Sequence, residues 1–128
     1  MAANSVKKIA ILTSGGDSSG MNAVIRAVTR YAISRSVKVI GFYEGFKGLI
    51  ANDHIALDSA SVGGIIDRGG TMLFSARSEE FKTEEGMAKA VSNLKKNEVD
   101  GLIVVGGDGS FRGAHDLYIR GVKTVGIP

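Results

Sequence analysis

Apolar and polar positions follow two rhythms along the chain. Lys8-Ile9-Ala10-Ile11-Leu12-Thr13 is a short apolar run stopped by Ser14-Gly15-Gly16, as in a strand buried on both faces. Beyond that loop Met21, Val24, Ile25, Val28 and Tyr31-Ala32 recur at helical spacing and predict an amphipathic helix over residues 21–34, with Tyr31 packed on its inner face. Val37 to Phe42 reads as a second buried strand, ended by Gly41 and Gly45. From Glu44 to Asp58 the rhythm weakens. Gly48-Leu49-Ile50 and His54-Ile55-Ala56-Leu57 flank Asn52-Asp53 and predict a small hairpin. Ser61 to Arg68 predicts a short helix that stops at Gly69-Gly70, where glycine suits a left-handed turn.

The most sharply bounded helix begins after Thr83. Its hydroxyl suits a cap, Glu84 and Glu85 suit the positive end of the helix dipole, and Lys95-Lys96 suit the negative end. Met87, Ala90, Val91 and Leu94 form its apolar stripe. A strand from Gly101 to Val105, a glycine loop, a helix from about Ser110 to Arg120 and a strand from Lys123 to Ile127 complete the chain. Tyr118, like Tyr31, is expected to pack on its helix face. Alternating strands and helices imply an α/β fold: three layers, a mostly parallel, Rossmann-like sheet with helices on both faces. The run breaks off at Pro128, directly after a strand, so the fold is expected to be truncated there. In such sheets ligands bind at the carboxyl ends of the strands.

Composition narrows the function classes. The 128 residues are 44% hydrophobic and 23% charged, enough apolar material for a core. The net charge of +3 is weak, and its lysines and arginines are scattered, so nucleic acid is not an expected partner. No cysteine is present, which excludes a disulfide scaffold, a thiolate nucleophile and cysteine-ligated metal. No run approaches a membrane span or a signal peptide, so no membrane association and a cytoplasmic location are the expectations. His54 and His115 have no serine or aspartate at a recognisable motif spacing and are expected at the surface or in the hairpin.

Chemistry concentrates in two loops that follow strands and open helices: Ser14-Gly15-Gly16-Asp17-Ser18-Ser19-Gly20 and Gly106-Gly107-Asp108-Gly109-Ser110. Glycine lets backbone approach a phosphate, and free N–H groups at a helix start favour negative charge. A carboxylate in such a loop repels phosphate unless a magnesium ion lies between them, which makes Asp17 and Asp108 candidate ligands. One loop of this kind reads as readily as a tight turn with an aspartate cap. Two, at strand-to-helix junctions of one sheet, favour phosphate binding. No Gly-x-x-x-x-Gly-Lys-Ser/Thr occurs, and Gly113 falls one residue late for Gly-x-Gly-x-x-Gly, so neither a P-loop nor a dinucleotide fold is expected.

These residues resemble a known family. Gly15 to Ala23 is similar to the first glycine loop of phosphofructokinases, Arg68-Gly69-Gly70-Thr71 through Arg77 to their Arg-Gly-Gly-Thr segment, and Gly106 to Ser110 to their magnesium and ATP loop. The three motifs stand in the family's order and cover nearly the whole chain, about the first two fifths of a bacterial, ATP-dependent subunit. The resemblance implies that residues 1–128 are the N-terminal, ATP-binding portion of a subunit. The rest of that domain and a second domain would lie elsewhere. It implies that Gly16 meets ATP phosphates through its N–H and that Arg77 bridges ATP and the sugar phosphate, both with catalytic roles. Ser78, Gly107, Gly109, Ser110 and Gly113 would shape the nucleotide pocket, and Asp108 would hold Mg2+. Without the motif, Arg77 reads as a surface arginine in an ion pair. Glycine at position 109 accompanies ATP rather than pyrophosphate as donor in the resembling family.

The implied reaction of the parent enzyme is transfer of the γ-phosphoryl of Mg-ATP to the 1-hydroxyl of fructose 6-phosphate, a glycolytic step. Its base, an aspartate in a Thr-Ile-Asp-Asn-Asp loop, would follow Pro128, so the 128 residues alone are expected to be inactive. Arg26 and Arg30, at i and i+4, match arginines that bind the phosphates of a nucleotide effector in bacterial relatives; a solvated basic face reads as well. Ser59 replaces a third effector-site arginine, and Phe46 and Ser19 are milder departures. Relatives are usually homotetramers. Two other readings stand beside this one. The first is a kinase of the NAD kinase or diacylglycerol kinase kind, which shares the Gly-Gly-Asp-Gly loop. The second is a nucleotide-binding module or truncated product with no activity.

Overall fold

The computed structural model describes residues 6–15, 20–65 and 71–128. Five strands, β1 (Lys8–Thr13), β2 (Lys38–Phe42), β3 (His54–Leu57), β4 (Gly101–Val105) and β5 (Thr124–Ile127), form one sheet in the order β3-β2-β1-β4-β5. All neighbours are parallel except β3, which runs antiparallel to β2 with Val39 opposite Leu57 and Phe42 opposite His54. Among the described residues the α-helices are α1 (Met21–Ser34), α2 (Gly45–Ala51), α3 (Glu84–Lys96) and α4 (Asp108–Ile119).

Two apolar cores, one per sheet face, make the three layers. Ile11, Val39 and Val105 pack on Met21, Ile25 and Ala32 of α1 and on Val62, Ile65 and Leu73. Ala10, Leu12, Ile40, Phe42, Leu102 and Val104 pack on Leu49 of α2, Met87, Ala90 and Leu94 of α3, and Ala114 and Leu117 of α4. Because β1 and β4 are buried on both faces, their side chains form unbroken apolar runs. This is why the runs were legible.

The chain leaves β1 for β2 on one side, whereas β4 lies on the other side of β1. A crevice therefore opens between the carboxyl ends of β1 and β4, the position where open α/β sheets bind ligands. Backbone bonds from Ser14 N to Val105 O (2.9 Å) and from Gly106 N to Ile127 O (3.0 Å) carry the β1–β4 and β4–β5 pairings to this edge.

Several expectations need correction. Residues 45–51 are helical, so only the second half of the predicted hairpin is a strand, and it pairs with β2. Phe46 and Leu49 are both buried one helical turn apart. Asn93 of α3 donates from Nδ2 to the carbonyls of Leu49 and Ile50, both at 2.9 Å, satisfying the end of α2 from a distant element. The helix expected over Ser61–Arg68 is a set of turns through Gly64. Asp58 and Ser61 exchange reciprocal bonds there (Ser61 N to Asp58 Oδ1 and Asp58 N to Ser61 Oγ, each 2.8 Å), the local competition that removes such residues from helices. The remainder of that prediction, Ile66 to Gly70, lies outside the described residues. The last helix starts at Asp108 rather than Ser110.

Tyr31 and Tyr118 do not pack inward; each is 63% exposed. The Tyr31 ring lies under the Arg35 guanidinium (5.0 Å) and Tyr118 stacks on His115 (6.3 Å). Aromatic rings with a polar tip satisfy an outer helix face as well as an inner one. The inner positions of α1 are instead held partly by Asn22 and Thr29, both fully buried.

Candidate functional site

A cleft of about 920 Å³ lies over the carboxyl ends of β1 and β4. Two walls and a floor define it. The β4–α4 wall supplies Gly107, Gly109, Ser110, Arg112 and Gly113, and the opposite wall supplies Ser75, Ala76, Arg77, Ser78 and Lys82. Phe46 and Phe81 form the floor, their rings stacked at 4.1 Å and 12°. Gly113 belongs to this floor because a Cβ there would come within 2.8 Å of both rings.

The β4–α4 wall presents backbone. Gly107 is the cap of α4 and offers no side-chain acceptor to the helix start, unlike Thr83, whose hydroxyl accepts from Gly86 N at 3.0 Å at the start of α3. The first N–H groups of α4 therefore have no partner within the helix and face the cleft with the positive end of its dipole. Space is available beside them: a Cβ on Gly107 or Gly109 would meet no atom within 4 Å. Asp108, the first residue of α4, is exposed. It lines the depression adjoining the cleft with Phe111, Arg112, His115 and Asp116, of which Arg112 and Asp116 also line the cleft.

The opposite wall is held by side chains. Thr13, at the last position of β1 and fully buried, lies with its Oγ1 3.0 Å from Thr71 Oγ1 and donates to Phe74 O at 3.0 Å. Asn22 Oδ1 accepts from Met72 N (2.6 Å), Glu44 N donates to Leu73 O (2.8 Å), and Ser75 Oγ donates to Gly15 O (2.7 Å). Arg77 follows two residues later, exposed and in no ion pair among the described residues. Ser78 Oγ accepts from Phe81 N (3.2 Å), starting the 3₁₀ turn Glu80–Lys82 that sets Phe81 into the floor.

The structure thus brings Arg77, Ser78, Gly107, Gly109, Ser110 and Gly113 to one cleft, with Asp108 at its margin. Gly16 and Asp17 lie outside the described residues, as do Arg68 to Gly70. Arg26 and Arg30 are far along α1 and line none of these hollows; neither forms an ion pair among the described residues, and Arg26 Nε is buried without a partner. His115 is exposed, and His54 is half-buried in β3, tilted against Phe42 at 5.4 Å. The sequence reading missed Thr13, Thr71 and Asn22 as builders of the site. The available signal was a polar residue ending an apolar run, and another directly after Gly69-Gly70.

Among the described residues, no three histidines, aspartates or glutamates converge on a point that could hold a metal. Magnesium bound through one or two carboxylates and completed by phosphate oxygens needs no such cage, so an exposed Asp108 at a helix start without a side-chain cap fits it.

A mostly parallel sheet with its switch point between β1 and β4, an α4 start without a side-chain cap and, across the gap, an arginine with no acid partner among the described residues make an α/β protein with an open cleft at its carboxyl edge. The sequence profile described as "Phosphofructokinase" matches residues 8–128, and the chain belongs to that family. It is 56% identical to the ATP-dependent 6-phosphofructokinase of Halalkalibacterium halodurans and 54% to that of Brevibacillus brevis. Each match spans 96% of this chain and 39% of the relative. The chain therefore spans about two fifths of the length of the curated relatives it matches. Among solved structures, Saccharomyces cerevisiae phosphofructokinase is similar with a TM-score of 0.85 at 37% identity, covering 94% of this chain and 19% of that one. A pyrophosphate-dependent phosphofructokinase from Marinobacter aquaeolei shares the fold, with a TM-score of 0.81 at 18% identity, covering 96% and 33%. The family match removes the NAD kinase and diacylglycerol kinase reading.

Proposed function

We propose that these residues form the nucleotide-binding portion of an ATP-dependent 6-phosphofructokinase, a subunit whose remaining parts complete the N-terminal domain and supply a second domain. The reaction is transfer of the γ-phosphoryl of ATP to fructose 6-phosphate, giving fructose 1,6-bisphosphate. The observation that carries the reading is the cleft itself, in which an uncapped α4 start and Arg77 face each other across the switch point.

Phosphoryl transfer asks little covalent chemistry of a protein and much positioning and charge neutralisation. The N–H groups at the start of α4, with Gly107, Gly109 and Ser110, hold phosphate oxygens, and the free space beside Gly109 admits the donor's inner phosphates. A carboxylate at 109 would project into that space and repel them, so glycine suits ATP. Arg77 neutralises charge developing on the transferring group. Gly16 provides a further backbone donor, Ser78 and Gly113 bound the nucleotide, and Phe46 and Phe81 give it an apolar floor. Asp108 would hold Mg2+, which supplies charge neutralisation on the phosphates when bound. The proton acceptor for the sugar hydroxyl and most of the sugar-phosphate site belong to the rest of the subunit, so this chain alone is inactive. Arg26 and Arg30 offer a cationic pair for the phosphates of an effector, with Ser59 weakening that site relative to one with a third arginine. The complete enzyme is a cytoplasmic homotetramer. Among the described residues, no helix is long and apolar enough to cross a membrane.

Two measurements test this. Calorimetry of the chain with ATP should give saturable binding that weakens when magnesium is removed by a chelator. A chimaera in which residues 8–128 replace the matching segment of the Halalkalibacterium halodurans enzyme should phosphorylate fructose 6-phosphate, whereas the chain alone should not. A folded chain that ignores Mg-ATP, together with a folded but inactive chimaera, would overturn the reading.

A further inference from the structure

The wall that carries Arg77 contains a segment with no helix or strand over residues 71–79. Such a segment holds a shape only if its backbone groups find partners elsewhere. Phe74 makes the question acute. Its φ is +61°, a left-handed conformation that is unfavourable for a non-glycine residue, and the residue is 61% exposed, so side-chain burial does not hold it there. Two bonds hold it: its carbonyl accepts from the Thr13 hydroxyl at the end of β1 (3.0 Å), and its N–H donates to Thr71 O (3.2 Å).

The directions of these bonds follow from proton counting. A threonine hydroxyl has one proton to give. Thr13 gives its proton to Phe74 O, so across the 3.0 Å contact with Thr71 it is the acceptor and Thr71 the donor. Thr71 Oγ1 in turn accepts from Leu73 N at 3.2 Å. The result is a one-way chain, Leu73 N–H to Thr71 to Thr13 to Phe74 O, in which both buried hydroxyls are satisfied. Asn22 Oδ1 receives the neighbouring Met72 N, and Ser75 Oγ then ties the segment to Gly15 O, in the first glycine loop.

We propose that Thr13 is a positioning residue: its hydroxyl latches the segment 71–75 to the end of β1 and thereby sets Arg77 at the mouth of the nucleotide cleft. The inference rests on the nucleotide reading of that cleft for its functional consequence, though not for the latch itself. Thr13 is fully buried and is not among the residues that line the cleft, so it acts through the segment that carries the arginine. The next residue, Ser14, bonds Val105 O through its N–H, so the tip of β1 as a whole touches both walls, Thr13 the Arg77 side and Ser14 the β4 side.

The test uses Thr13→Val, which keeps shape and removes the hydroxyl, and Thr13→Ser, which restores it. Thr13→Val removes two hydrogen bonds and should weaken Mg-ATP binding to the chain about fivefold, the part of that loss that reaches the cleft through Arg77. Thr13→Ser should recover most of that loss. Placed on Arg77→Ala, Thr13→Val should weaken binding by less than about twofold, because its effect runs through the arginine. Amide hydrogen exchange in Thr13→Val should accelerate over residues 72–75 while α3 and β4 stay protected. An undiminished fivefold loss on the Arg77→Ala background, or unchanged affinity and exchange in Thr13→Val, overturns the proposal. Should the native chain bind no Mg-ATP, the nucleotide reading fails, and the latch stands or falls on exchange alone: local acceleration supports it, uniform or absent acceleration sinks it. If Thr13→Val does not fold, Ser75→Ala breaks the tie to Gly15 at the surface and should show the same pattern at about half the size.

Discussion

The two ends of the sheet are finished in opposite ways. At the amino ends of the strands, backbone and side chains satisfy one another. Lys7 N and Lys8 N both donate to Asp100 Oδ2 (2.8 and 3.0 Å), Asp100 N donates to Lys8 O, and Lys38 N donates to Lys7 O. Lys8 Nζ adds a bond to Asn97 O at 2.8 Å. At the carboxyl ends the same sheet leaves donors over: α4 starts without a side-chain cap, and Arg77 has no acid partner among the described residues. Unmade polar contacts cost stability unless solvent or a ligand makes them. The contrast therefore separates an end whose donors are satisfied within the chain from one whose donors stay open to a ligand, with helix α3, capped by the Thr83 hydroxyl, as the internal control.

The sharpest way to break that contrast is to remove the charges at the open end. In the chimaeric enzyme, Arg77→Ala and Asp108→Ala should each lower kcat/KM on the order of 10²–10³-fold, the usual loss when a donor or charge serving the transition state is deleted. Both side chains are exposed, so the urea midpoint of the chain should hardly move. A Tm loss of many degrees with intact turnover would show that these groups build the fold rather than the site.

Next in size is the floor that joins the open end to the core. Gly113→Val should destabilise the chain by about 2–3 kcal/mol in urea unfolding, since even a Cβ would lie 2.8 Å from the Phe46 and Phe81 rings. It should also weaken Mg-ATP binding by pushing the stacked rings into the cleft. Gly109→Ala is the comparison. With no atom within 4 Å of its Cβ, it should leave stability within about 0.5 kcal/mol of the native chain or improve it, because alanine suits a helix better. Equal losses from the two substitutions would erase the distinction between a packed and an open glycine.

Phe74 gives a smaller effect of opposite sign. Phe74→Gly relieves the left-handed strain and sacrifices little burial, but glycine loosens the unfolded chain, so the net gain should be no more than about 1 kcal/mol. Phe74→Ala keeps the strain and should bring no gain. If alanine stabilised as much as glycine, the strained backbone would not be the cause.

How much of this could be read from the sequence follows the same division. β1, β4, α1 and α3 were legible because two-sided burial writes apolar runs and amphipathic burial writes a 3.6-residue stripe. The β4–α4 loop was legible because its glycines stop the apolar run of β4 directly before a helix, whereas most of the first glycine loop lies outside the described residues. Helix α2 was not, since its carbonyls are completed by Asn93, 43 and 44 residues away, and no local pattern encodes that. Arg77 and Ser78 were named through the Arg-Gly-Gly-Thr motif, but what holds their wall was not legible: nothing local marks Thr13, Asn22 and Thr71 as its supports, and only the fold brings Thr13 and Thr71, 58 residues apart, into one hydrogen-bonded chain.

The closed end offers the smallest effect and the cleanest control. Asp100 accepts two backbone N–H bonds, and these, with the charges of Lys7 and Lys123 assisting, hold its carboxyl below the ordinary aspartate value. The folded chain therefore binds that proton more weakly than the unfolded chain. The stability Asp100 contributes is fully present above the unfolded pKa and is lost as pH falls through the lower folded value. Asp100→Asn can still accept through its amide oxygen but has no charge to titrate. Its Tm should lie slightly below that of the native chain at neutral pH, and the gap should close as acid protonates Asp100. The group is solvent-exposed, so screening keeps the gap small, and it should narrow further in high salt. Mg-ATP affinity should be the same in both chains at neutral pH, because Asp100 sits at the end of the sheet that faces away from the cleft. A gap that widens toward acid would reverse the sign of this linkage, and a change in nucleotide affinity would mean that the two ends of the sheet are not independent.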